Sequence, residues 1–232
     1  MLLLLFDIDG TLVAGATDAH RDALHAALRE VHGVDVRRLR LSISPAGRTD
    51  AEIARALLLD AGVSAERIDD RADAVREACC VAYARLSTED LSHTVLPGIP
   101  DLLHWLATKD NARLGLLTGN FEPVARIKLK RAGIGKFFAA GQGAFGSDDE
   151  DRAALPAIAR RRAGTSGHPH PREQTIVIGD TPRDIACARA DGVRCIAVAT
   201  GPYAIDELAG ADTIVRNAAE LLGVLEAELA RT

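Results

Sequence analysis

Apolar residues follow two rhythms along the 232-residue chain. At the amino end five run together, Leu2–Phe6, a length and composition that predict a strand buried on both faces of a parallel sheet. Beyond Val13 the rhythm turns helical. Thr17 stands as a candidate N-cap, Leu24, Leu28 and Val31 follow at helical spacing, and Gly33 ends the segment. After a basic loop with Arg37, Arg38 and Arg40, Thr49 and Glu52 have the spacing of a capping box for a second helix through Ile53 and Leu57, closed by Gly62. Ser64 starts a third, whose residues Ile68, Ala72, Val75, Cys79, Ala82 and Leu86 form one apolar stripe. Residues 16–92 are thus expected to form a small helical bundle without a strand, inserted directly behind the first strand.

From Leu96 the pattern alternates. A helix is expected over 99–108, a strand over 113–117, and a helix from Phe121 to a stop at Gly133. A short apolar stretch, 137–140, precedes a helix over 152–163 and a loop reading GTSGHPHPREQ. A strand over 175–178 is followed by Thr181 as N-cap and Pro182 as first helical residue, with Gly192 at the close. A strand at Arg194–Val198 and a helical tail over 217–230 complete the chain. Repeated strand–helix units imply an α/β fold with a parallel sheet, right-handed crossovers and helices on both faces.

Composition narrows the function classes. Hydrophobic content of 47% supports a sizeable core, while a net charge of −5 and 3% aromatics offer neither an electrostatic footprint nor a stacking platform for nucleic acid. The Leu2–Phe6 run is too short to span a bilayer and has no basic leader, so no membrane partner and a cytoplasmic location are expected. Cys79, Cys80, Cys187 and Cys195 have no zinc spacing and read as reduced, mostly buried residues. His168 and His170 sit in a proline-rich linker with no ligand expected, and Arg160, Arg161 and Arg162 read as a solvated helix end.

Three strands end in chemistry, at the strand ends where ligands gather in such sheets. The first delivers DIDGT. Asp7 and Asp9, two apart on extended backbone, lean to one side and repel unless a cation or proton lies between them. Gly10 allows a tight turn whose amides can face an anion. The second ends in Thr118-Gly119-Asn120, a hydroxyl and an unhindered amide that suit phosphate oxygens, although TGN alone after a strand is more often a helix cap. The third ends in Asp180, with Asp184 four positions on; the plain alternatives are an N-cap and a first-turn acid.

An apolar strand followed by DIDGTLV resembles the first signature of the haloacid dehalogenase-like hydrolase superfamily, in which the first Asp is the nucleophile and the second the general acid/base. LLTGN resembles the second signature and GDTPRD the fourth. The third is a basic residue, usually Lys, and here the chain departs from the pattern, since no Lys follows Lys136. Arg152 stands at the matching place; Lys128 and Lys130 are the alternatives, as is an Arg152 that merely pairs with the acids at 148–151. The insert resembles the α-helical-cap subfamily, with phosphoglycolate phosphatase-like proteins as its nearest type. The resemblance implies a Rossmann-like core, 1–15 and 93–232, with a cap domain at 16–92. It implies Mg²⁺ at Asp7, Asp9 (through its carbonyl) and Asp180, assisted by Asp184. Asp7, Asp9, Thr118 and Arg152 would be catalytic, Gly10, Gly119 and Asn120 would meet the phosphate, and Arg48 in the insert would grip an anionic substrate or lie idle on the surface. The expected reaction is hydrolysis of a small phosphorylated metabolite through an aspartyl-phosphate, by a monomer or homodimer. A phosphomutase or phosphotransferase would use the same residues. A metal-free dehalogenase is disfavoured by Asp9, and a non-enzymatic binding module by the presence of both acids.

Overall fold

The computed structural model describes residues 1–39, 43–165 and 167–231. Arg40 of the expected basic loop lies outside the described residues. Strands β1 (Leu2–Phe6), β2 (Ala112–Thr118), β3 (Ala144–Phe145), β4 (Thr175–Gly179), β5 (Arg194–Val198) and β6 (Thr213–Val215) pair in parallel in the order β3-β2-β1-β4-β5-β6. Strand β1 is buried throughout because it is central and covered on both faces. Leu2, Leu4 and Phe6 pack under helices α5 (Ile99–Leu106), α6 (Glu122–Arg131) and α9 (Ala218–Leu229). Leu3 and Leu5 meet α7 (Leu155–Ala163) and α8 (Pro182–Asp191) on the other face. From β1 the strand order runs to β2 and β3 on one side and to β4, β5 and β6 on the other, so the carboxyl end of β1 opens at the topological switch, where such sheets bind ligands.

The insert carries helices α1 (Asp18–His32), α2 (Asp50–Asp60), α3 (Ala65–Asp70) and α4 (Ala72–Leu86), and no strand among the described residues. Its core, with Leu24, Leu28, Leu57 and Tyr83 at the centre, also takes in Phe121 and Val124 from the start of α6. That shared cluster seats the insert on the sheet domain.

Several expectations need correction. Thr17 precedes α1, but its backbone is already helical (φ −93, ψ −25) and its hydroxyl makes no capping bond. The expected third helix is two, broken at Arg71 (φ −119, ψ 12). The break lets Ile68 and Val75 both reach the insert's core while Ala72 faces water. Leu86 ends α4 at 46% exposure and is not part of the stripe. The Thr49 hydroxyl accepts from Glu52 N as a cap should, but the Glu52 carboxylate turns to Arg48, so half of the capping box forms. Arg160 is not solvated: it is buried, forks onto Asp191 at 2.6 and 2.9 Å and donates to His170 O at 2.7 Å. Strands β3 and β6, two and three residues long, extend the two edges of the sheet beyond the expected strands.

Candidate active site

Asp7 leaves β1 still in register, its amide donating to Ile178 O at 2.9 Å, and this places it beside the end of β4. There Asp180 follows β4 as Asp7 follows β1. Gly10 turns the chain with φ 90, and a Cβ at that position would collide with the Asp180 carboxylate, so the close approach of the two strand ends requires glycine. Thr11 donates to Asp180 Oδ1 at 3.1 Å. Thr181, not Asp180, caps α8, in a full capping box with Asp184, whose Oδ2 accepts from the Thr181 amide at 3.0 Å and hydroxyl at 2.7 Å. Asp7, Asp180 and Asp184 are all buried and each has an oxygen within 4.8 Å of the others.

Three carboxylates so placed are short of positive charge. Burial pushes Asp7 up from 3.8 to about 7, with Asp184 and Asp9 adding to the rise and Arg152 opposing it. Burial, then the charges of Asp7 and Asp184, push Asp180 up from 3.8 to about 8. The cation within reach is Arg152, buried, 3.2 Å from Asp7 Oδ1 and 2.5 Å from Asp184 Oδ1. Burial disfavours its charge, yet Asp184 and Asp7 hold its pKa well above the ordinary arginine value. Arg152 therefore does not pair with the acids at 148–151. Its Nε is buried without a hydrogen-bond partner, a donor left over in the site. An all-oxygen donor set with two carboxyls raised by burial and by neighbouring carboxylates suits a hard divalent cation.

Asp9 belongs to a second cluster. Lys128, fully buried on α6, donates to Asp9 Oδ1 at 2.8 Å and Oδ2 at 2.7 Å and to Asn120 Oδ1 at 2.9 Å; Asn120 Nδ2 donates to Asp9 Oδ2 at 3.1 Å. Burial raises the Asp9 pKa, but Lys128, with His20 and Asn120, more than reverses it, leaving Asp9 below the ordinary carboxylate value. Two cations named as alternatives thus occupy separate posts, Arg152 on Asp7 and Lys128 on Asp9. Lys130 is exposed and outside this cavity. Lys128 does carry a sequence signal: it lies four residues after Val124, on the buried stripe of α6 with Ala125 and Leu129.

Asp7, Asp9, Thr118, Asn120, Arg152 and Asp180 line the floor of one cavity, together with Gly10 and Gly119. Thr118 ends β2 buried, its hydroxyl accepting from Asn120 N at 3.3 Å. At Gly119 a Cβ would meet the Arg48 carbonyl, so glycine lets the insert's loop settle against the strand end. Asp50 N donates to Gly119 O at 2.8 Å, and Phe121 N donates to Asp50 Oδ2 at 2.8 Å. His20 on α1 meets the same Asp50 oxygen at 2.9 Å. Neither His20 nor Asp50 was an expected site residue, although His20 precedes Leu24 and Leu28 by one and two near-turns on the same face. Arg48 does line the cavity, with its guanidinium bound to Glu52 and, at 2.9 Å, to Ser44 O.

A family model described as haloacid dehalogenase-like hydrolase matches residues 4–189. A phosphoglycolate phosphatase of Pseudomonas putida is 28% identical over 210 residues, covering 86% of this chain and 70% of that protein. Among solved structures, a hydrolase from Pseudomonas syringae superposes with a TM-score of 0.65 at 24% identity, covering 98% of this chain and 99% of that one. A beta-phosphoglucomutase from Clostridium difficile gives a TM-score of 0.69 at 16% identity, covering 100% and 98%, and shares the fold.

Proposed function

Since the chain belongs to the haloacid dehalogenase-like hydrolase family, we propose that it is a Mg²⁺-dependent phosphatase of a small phosphorylated metabolite, working through an aspartyl-phosphate on Asp7. Three desolvated carboxylates within 4.8 Å of one another, with a buried arginine on the one that follows β1, carry this proposal. The name of its Pseudomonas relatives points the same way.

The donor set fits Mg²⁺: Asp7, the Asp9 carbonyl and Asp180 would hold it, with Asp184 behind. Once bound, the ion supplies positive charge that offsets repulsion between the Asp7 carboxylate and an incoming phosphate. Asp7 attacks phosphorus, breaking the bond to the leaving oxygen. Arg152 fixes Asp7 through Oδ1 and keeps further guanidinium N–H donors for phosphoryl oxygens. The Thr118 hydroxyl and Gly119 amide stand where those oxygens would come. Asp9 passes a proton to the leaving oxygen and takes one from the water that hydrolyses the acyl phosphate, while Lys128 and Asn120 hold both its oxygens in place. Residues 16–92 act as a cap over the core formed by 1–15 and 93–232, excluding water from the reaction.

Phosphate release from p-nitrophenyl phosphate, with and without Mg²⁺, tests this directly. Wild-type protein should turn over only with the metal and Asp7→Asn should not. A wild type with no metal-dependent turnover above that variant ends the proposal.

A further inference from the structure

Above its charged floor the cavity continues between the sheet end and the insert to a volume of about 720 Å³, within the roughly 300–1,000 Å³ of pockets that enclose drug-sized ligands. A phosphorylated two-carbon acid would occupy a small part of it. The volume is that of a seated insert, because Asp50 N holds Gly119 O at 2.8 Å and the Thr49 hydroxyl donates to Glu150 O at 2.6 Å.

Among the described residues, the arginines of the distal wall come with partners of opposite charge. Arg37 lies on Asp35 at 2.5 and 2.8 Å, Arg21 reaches Asp18 at 2.9 Å and Asp22 at 3.3 Å, and Arg48 holds Glu52. Asp50, the acid of that wall, is taken by His20 at 2.9 Å and by the Phe121 amide. A second anion on the substrate would therefore compete with a carboxylate for each of these three cations, at a desolvation cost. Hydrocarbon makes up much of the remaining wall: Leu24, Val36, Leu39, Pro45 and Ile53. His25 is left over, its ring without a hydrogen bond among the described residues, and burial followed by Arg21 keeps its pKa below the ordinary value. It is a neutral group able to give or accept one hydrogen bond.

We infer that the site selects phosphomonoesters of an uncharged, largely apolar alcohol several carbons longer than glycolate, an inference that rests on the phosphatase reading above. The apolar wall would receive the hydrocarbon, and His25 a single polar atom within it.

The test compares 2-phosphoglycolate with a series of n-alkyl phosphates from ethyl to hexyl, at one Mg²⁺ concentration and with Asp7→Asn as the blank. Straight-chain alcohols leave about equally well, so the series isolates the wall from the chemistry. The expected result is a kcat/KM that climbs by roughly two- to fourfold per methylene, with hexyl phosphate at least about tenfold above phosphoglycolate. Ile53→Asn should flatten the hexyl-to-ethyl ratio, an internal ratio that a loss of folded protein does not change. A flat series, or phosphoglycolate favoured over hexyl phosphate, overturns the inference while leaving the phosphatase standing. No turnover of any ester above the blank overturns both.

Discussion

The sheet end and the helical insert wall the same cavity, yet they hold charge in opposite ways. At the sheet end Asp7, Asp180 and Asp184 come from two separate strand ends and a helix start and are buried together, with one arginine between Asp7 and Asp184. On the insert, Arg21 pairs with Asp18 and Arg37 with Asp35, near neighbours in sequence, and these pairs stay largely in water. The first arrangement is an imbalance kept by long-range packing; the second is balance achieved locally. A buried excess of one sign marks where a counter-charge belongs, whereas local pairs make a wall that is electrically quiet.

Breaking the imbalance should have the largest effect. Arg152→Met leaves Asp7 and Asp184 without their cation and should cost about 3–5 kcal/mol of stability in urea unfolding, along with turnover. Lys128→Met should lower turnover of p-nitrophenyl phosphate by roughly 10²–10⁴-fold by freeing Asp9, and Lys128→Arg should recover part of it if holding Asp9 is what matters. Gly119→Ala presses a Cβ against the Arg48 carbonyl and should destabilise the seated insert by roughly 1–3 kcal/mol, read as faster proteolysis within 16–92. Titration sharpens the contrast more gently. Asp7 and Asp180 have folded values near 7 and 8 against an ordinary 3.8, so their contribution to stability is full below about pH 4 and is lost as pH rises through 7 to 8. A divalent cation replaces the protons, and the rise in Tm on adding Mg²⁺ should be larger at pH 8 than at pH 5. Least affected should be the quiet wall: Arg21→Gln should shift stability by under about 0.5 kcal/mol.

Much of the sheet end was legible because its signals are local. Strand β1 is an unbroken apolar run, Gly10 and Thr181 carry turn and cap chemistry within three residues, and β5 has the bounds the pattern predicts. Strands β3 and β6 were not legible, since two or three residues at a sheet edge are too few to show a period. The break at Arg71 was hidden by a stripe that stays in phase across it. Lys128 was ambiguous because a lysine ordinarily marks a solvated face, and its partner Asp9 lies 119 residues away. His20 and Asp50 escaped for the same reason: neither residue means anything until α1, α2 and the start of α6 meet.

Helix α6 has a mechanical consequence. Its first turn, with Phe121 just before it and Val124 within it, is embedded in the insert's core, and one turn further on Lys128 grips Asp9. One rigid rod thus serves as axle for both halves of the molecule. A tilt of the insert that carried this rod along would slide the ammonium against the carboxylate, so that the width of the chamber and the setting of Asp9 would be geared to a single movement.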